Sequence, residues 1–343
     1  MVSADGQLAL PWLAGPLRAA LASQRGHAIS LQGPAGVGQF TLALALAQAW
    51  LCEAPVGSER PCGHCASCKL MQAHSHPDLL VLVPEAQRDA LGWGVADDGE
   101  GEAADGSEKA GKRKPSKEIR VEEVRRIVAF AQTTSARGHG KVAVVFPAER
   151  MNTISANTLL KTLEEPPGDS RFILAGASAD ALPPTLRSRC QTLTLALPDA
   201  AVASAWLAAQ SVAEPAVLLA ATGGQPEEAL AWSRDGITAR QWLELPAQLR
   251  RGDAGALSAW PLARAIDALF KLCHDALRVA AGSAPRYFSA ASLPAAATPA
   301  ALLAWQRELA RVARHAEHPW NAGLLLESLA QQAMLGLQSA PRR

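Results

Sequence analysis

The first half of the chain alternates short apolar strand signals with helical patterns, and this alternation constrains the fold more than any other feature. HAISLQ (27–32), DLLVLVP (78–84), KVAVVF (141–146), RFILAGA (171–177) and LTLAL (193–197) read as strands. Between them LAGPLRAALAS, FTLALALAQAWLC, VEEVRRIVAFAQ (121–132) and ISANTLLKTLEE (154–165) carry helical spacing, the last stopped by Pro166 and Pro167. Strands that alternate with helices predict an α/β fold with a parallel sheet covered on both faces.

After Pro198 the strand signals fade. DAAVASAWLAAQ, EPAVLLAATGG and QPEEALAWSR read as short helices, and longer helical patterns run from about residue 238. The expected organisation is an α/β domain over 1–197, a small helical unit over 198–240 and a helical bundle over 241–343. One stretch, 85–118, breaks the order. It is rich in Gly, Asp, Glu and Lys, with an acidic half before a basic one, and it is too poor in apolar residues to offset its ordering entropy. It reads as a disordered surface insertion; a nucleic-acid role for KAGKRKPSK is the competing reading.

A net charge of +1 gives no electrostatic argument for a nucleic-acid or acidic partner. No apolar run approaches the length of about 18 residues that suggests a membrane span, and Asp5 stands where a secretory signal wants positive charge. The expectation is a soluble, cytoplasmic protein without a membrane partner.

Four of six cysteines crowd one segment, Cys52, Cys62, Cys65 and Cys68, in a C-x9-C-x2-C-x2-C pattern. Four thiolates can surround a Zn2+ ion, and such a closed site is structural, since no position is left for water. His64, His74 and His76 lie close enough in sequence to replace one ligand. Reduced, unligated thiols and an iron–sulfur cluster are the alternatives.

GPAGVGQFT (33–41) nearly spells a phosphate-binding loop. Such a loop needs glycines that turn backbone N–H groups inward, a lysine, and a hydroxyl that holds magnesium. Gly33, Gly36 and Gly38 could keep the cradle, but Gln39 and Phe40 stand where the lysine and the hydroxyl belong. The acidic pair that should end a later strand is replaced by Phe146 and Pro147 after KVAVV, with Glu149 two residues beyond. A degenerate P-loop and an ordinary strand–turn–helix both fit the loop by itself.

NTLLKTLEEPP (157–167) and LPPTLRSRC (182–190), with the glycine loop and the cysteine module, resemble the clamp-loader branch of the AAA+ ATPases, and within it the delta-prime family of bacterial DNA polymerase III subunits. The resemblance covers about 10–197; the later helices match only in character and length. It implies a RecA-like sheet domain with an inserted zinc module (52–68), a helical lid over 198–240 and a collar, or oligomerisation, domain over 241–343. It implies a hetero-pentameric ring with gamma/tau-type ATPase subunits and a delta subunit, which loads a sliding clamp onto primed DNA during replication. In that family ATP lies between subunits, and the Ser-Arg-Cys arginine completes a neighbour's site. Carried over, Arg189 is the arginine finger acting in trans, and Gln39, Phe40, Phe146 and Pro147 replace the hydrolytic groups, so this chain does not hydrolyse ATP itself. Gly176 and Ala177 take the place of a sensor threonine, and Glu227 that of a second sensor arginine. The competing classes are a catalytically active AAA+ ATPase and a zinc-dependent nucleic-acid-binding protein; the near-neutral charge and the lack of a basic aromatic stripe argue against the second.

Overall fold

The computed structural model describes every residue except 24–25, 56–57, 94–114, 179, 181, 294–296, 315–320 and 339–343. The chain divides into two compact units, Met1–Leu197 and Pro198–Arg343.

The first unit is built on five parallel strands, β1 (Ala28–Gln32), β2 (Leu79–Leu82), β3 (Lys141–Val145), β4 (Ser170–Gly176) and β5 (Gln191–Thr194), in the order β2-β3-β4-β1-β5. Six α-helices join them among the described residues: α1 (Ala14–Ser23), α2 (Gln39–Leu51), α3 (Ala66–Gln72), α4 (Val121–Gln132), α5 (Thr153–Glu164) and α6 (Pro184–Arg187). Ala143, Val145, Phe172 and Leu174 share a core with Val124 and Ile127 of α4 and Ala156, Leu159 and Leu163 of α5. Side chains alternate along a strand, so Val142, Val144 and Ile173 turn to the opposite face, where α2 packs on β1, β3 and β4. Both faces are therefore covered; β1 and β3 are buried throughout, and β4 is buried except at Arg171. This is the α/β parallel-sheet architecture the alternation predicts.

The middle of the stretch read as a disordered insertion, 94–114, lies outside the described residues. Its flanks do not fit that reading. Residues 85–93 fold as a short 3-10 helix (Glu85–Gln87) and turns, and the Ala86 N–H bonds the Ser116 carbonyl (3.0 Å). Arg88 pairs with Glu123 on α4. The composition of the whole stretch hid these anchors.

Among the described residues the elements of the second unit are mainly α-helices: α7 (Ala200–Ala209), α8 (Pro215–Ala221), α9 (Pro226–Arg234), α10 (Ala239–Leu249), α11 (Gly255–Ser258), α12 (Leu262–Ala280), α13 (Pro299–Arg314) and α14 (Ala322–Leu337). Its main core runs across residue 240, with Trp232 and Ile237 on one side and Trp242 and Leu245 on the other, and joins α12, α13 and α14. The Trp242 ring stacks on Phe288 with centroids 4.3 Å apart. A second, smaller cluster gathers Ala203, Leu207, Leu218 and Ala229. The buried Asp275 carboxylate on α12 accepts backbone N–H bonds from Arg286, Tyr287 and Phe288, a knot that no periodicity announces.

Candidate functional site: a filled glycine loop, an arginine corner and a cysteine cluster

β1 sits between β4 and β5, so the crevice at the carboxyl ends of these strands is where a doubly wound sheet receives a ligand. The glycine loop leads from that end of β1 into α2. Gly38 has φ +98°, and a Cβ there would lie 2.4 Å from Leu10 Cδ1. Gly33 needs no unusual φ, but a Cβ would lie 2.5 Å from the Leu195 carbonyl. The glycines are thus required by close packing as well as by the turn.

The side chains of Gln39, Phe40 and Phe146 are all engaged within the protein. Gln39 is only 4% exposed, and its Nε2 donates to the carbonyls of Gly33 and Pro34, both at 2.6 Å. The amide thereby closes the loop on itself. Phe40 and Phe146, which the sequence reading sets in place of a metal-holding hydroxyl and carboxylate, stack with centroids 4.9 Å apart and planes 25° apart. Glu149 reaches the end of β4, where its Oε1 accepts the Ala177 N–H (3.0 Å). Its Oε2 is buried against Gly176, whose Cβ, if present, would come within 2.0 Å of that oxygen. Sequence reasoning found the substituted positions but not these mutual contacts.

Arg189 follows α6. Its Nη1 donates to the Thr185 carbonyl (2.7 Å) and Ser188 Oγ (3.2 Å). Its Nε donates to Glu164 Oε1 (2.7 Å), and its Nη2 pairs with the same oxygen. The side chains are 32% and 46% exposed. Glu164, the last residue of α5, is the ion-pair partner of Arg189. Cys190 is half-buried against the α4–α5 core, and burial pushes its thiol up to about 11.

The four sequence-nominated cysteines converge. Their Sγ atoms all lie within 4.8 Å of one another, with 3.9 Å from Cys52 to Cys65 and from Cys62 to Cys68, so the cluster could hold a metal ion. Backbone N–H groups point at the sulfurs: Ala54 and Cys62 at Cys52 (3.5 Å each), Cys65 at Cys62 and Cys68 at Cys65 (3.4 Å each). Burial works against ionising Cys62, but the Cys65 and His64 amides and the neighbouring thiols outweigh it and bring its thiol down to about 6. Burial pushes Cys52 and Cys68 up. The histidines near the motif have other duties. His64 Nδ1 is paired with the Cys62 carbonyl (2.8 Å), His74 stacks on Trp93, and His76 Nε2 meets Ser67 Oγ (3.1 Å).

A polar knot, missed by sequence, staples this cluster to the sheet. Arg137 Nε donates to Glu53 Oε1 (2.8 Å) and Ser67 Oγ (3.1 Å), both adjacent to cluster cysteines. The buried Asp78 accepts from the Ala136 and Arg137 backbones (2.7 and 2.9 Å) and Ser135 Oγ (3.0 Å), with Lys141 Nζ 3.7 Å away. Burial raises the Asp78 carboxyl, but these donors and the lysine outweigh it and hold it below its ordinary value.

A family model described as "DNA polymerase III, delta subunit" matches residues 16–199. Subunit delta' of DNA polymerase III from Escherichia coli K12 is 33% identical over 291 residues, covering 78% of each chain. The chain belongs to the DNA polymerase III delta-prime family. The delta' subunit of Pseudomonas aeruginosa is 38% identical over 208 residues, covering 60% of this chain and 55% of that protein, so the match spans about half of that relative's length. Among solved structures, a gamma subunit-related protein of DNA polymerase III from Thermotoga maritima is similar over 95% of this chain, with 14% identity and a TM-score of 0.49. Among the described residues, no helix of this delta-prime family member is long and apolar enough to cross a membrane.

Proposed function

We propose that this delta-prime family member serves a clamp loader as a subunit that does not hydrolyse ATP and that lends Arg189 to a neighbouring subunit's ATP. The observation that carries the reading is the Phe40–Phe146 stack beside the self-bonded Gln39. Both positions that would hold magnesium are filled by one aromatic contact, and the loop has no cation for the β and γ phosphates. At the other corner, a half-exposed guanidinium on a rigid turn can pair bidentately with phosphate oxygens and stabilise charge that develops during transfer.

In this reading the chain works within a ring of gamma/tau-type ATPase subunits and a delta subunit, acting on a sliding clamp and primed DNA. The helical second unit supplies the lid and the oligomerising collar. Leu324 and Leu335, 65% and 62% exposed on α14, lie eleven residues apart and so on one helix face, which suits an intersubunit contact.

The cysteine cluster is read as a structural Zn2+ site. Four thiolates at Zn–S distances of about 2.3 Å stand about 3.8 Å apart in a tetrahedron, close to the two 3.9 Å separations here. The ion would cross-link the segment before α3, and the amides aimed at the sulfurs would stabilise the thiolates.

The test is to rebuild the ring with Arg189→Ala and measure ATP hydrolysis and clamp loading, alongside nucleotide binding by the isolated chain. The expected result is loss of the first two and no magnesium-dependent binding in the third. Unchanged hydrolysis would overturn the finger, and tight binding by the isolated chain would favour a competent ATPase.

A further inference from the structure

The guanidinium of Arg189 has two working edges, and the structure uses them differently. Nη1 is moored to α6 and its end through the Thr185 carbonyl and Ser188 Oγ. Nε and Nη2, the edge able to make two parallel bonds to a phosphate, both rest on Glu164 Oε1. We infer that Glu164 is a placeholder anion: its carboxylate occupies the phosphate-binding edge of Arg189 and leaves when a neighbouring subunit's nucleoside triphosphate arrives. The inference rests on the proposal that Arg189 serves such a site.

The physical case is one of relative strength. Both side chains are reached by solvent, and an ion pair of that kind gives little net stabilisation, so it can be exchanged without unfolding anything. A triphosphate offers more charge and several oxygens to the same edge. The Nη1 mooring lies on the other side and can stay in place through the exchange, so the arginine is already oriented when it changes partner. Glu164 ends α5, and the Pro166-Pro167 pair that follows stops the chain from continuing that helix. The carboxylate is therefore held on one rigid element and the guanidinium on another. Glu164 acts through Arg189 and is a positioning residue, with a restraining effect: while it holds the edge, nucleotide must compete with it.

The experiment compares Glu164→Gln, Glu164→Ala and Arg189→Ala in the rebuilt clamp-loader ring. ATP hydrolysis is measured across ATP concentrations, and binding of a non-hydrolysable ATP analogue is titrated in parallel. Both Glu164 variants are expected to lower KM and tighten analogue binding by roughly two- to fivefold, the size of a half-exposed ion pair, with kcat unchanged. A fall in kcat would overturn the placeholder by showing that Glu164 presents the arginine, and so would an unchanged KM and affinity. If Arg189→Ala hydrolyses ATP like the parent ring, it is the underlying arginine proposal that fails, and this inference falls with it.

Discussion

The glycine loop and the Arg189 corner belong to the same α/β unit and treat their polar groups in opposite ways. At the loop, Gln39 is buried and spends its amide on two carbonyls, and Phe40 spends its ring on Phe146. At the corner, Arg189 and Glu164 hold each other at the surface. A buried, satisfied contact is costly to undo because removing one partner strands the other away from water. A surface ion pair is cheap to exchange because water takes over its work. The loop is a finished piece of packing, whereas the corner keeps a charged group that can change partners.

Five variants test this contrast, in descending order of expected effect. Arg189→Ala should lower hydrolysis at the single ATP site it completes in the rebuilt ring by roughly 10³-fold, the usual scale for an arginine supplied in trans, while the melting temperature of the isolated chain stays within a few degrees. A large loss of stability in that variant would place Arg189 with the packing groups and erase the contrast.

Asp78 extends the rule for buried groups to the knot beside the cysteines. Asp78→Ala should cost about 3 kcal/mol in urea unfolding, since it strands two amides and leaves Lys141 without its carboxylate. The native carboxyl is held below its usual 3.8, so its stabilisation is complete above that pH and is lost as the pH falls through the lower folded value. An Asp78→Asn chain should lack that component of acid sensitivity when melts are compared from pH 7 downward.

Gln39→Ala should destabilise the chain by about 2 kcal/mol, because the Gly33 and Pro34 carbonyls lose their donor. Thermal or urea unfolding checks this, and a neutral result would mean that water serves the carbonyls equally well. Smallest of all, Glu164→Gln should shift unfolding by less than about 1 kcal/mol. A shift as large as that of Gln39→Ala would show that the corner is as structural as the loop.

Much of the site was legible in the residues themselves. The four cysteines announced their convergence by spacing, and the missing lysine, hydroxyl and acidic pair were visible at Gln39, Phe40, Phe146 and Pro147. The roles of the replacements were not. Nothing local in GPAGVGQF says that Gln39 folds back onto Gly33, and Phe40 is over a hundred positions from the Phe146 it stacks on. The flanks of the 85–118 stretch were misread for a related reason. Their composition is polar, yet Arg88 finds Glu123 on a helix that only the fold brings near.

The sequence by itself determined the layered α/β plan, the helical second half and the cysteine cluster. These follow from periodicity, turn chemistry and close spacing, which act over a few residues to a few tens. The tertiary structure alone decided that the glycine loop closes on its own glutamine, that Arg137 and Asp78 staple the cysteine segment to the sheet, and that Glu164 holds Arg189. Each of these is a pairing between groups far apart in sequence or turned inward by packing. For the buried Gln39 and Asp78 the partners are selected by the desolvation of polar groups, a cost that exists only once the surrounding elements have come together; Glu164 and Arg189 stay at the surface and meet because the fold brings the end of α5 beside the end of α6.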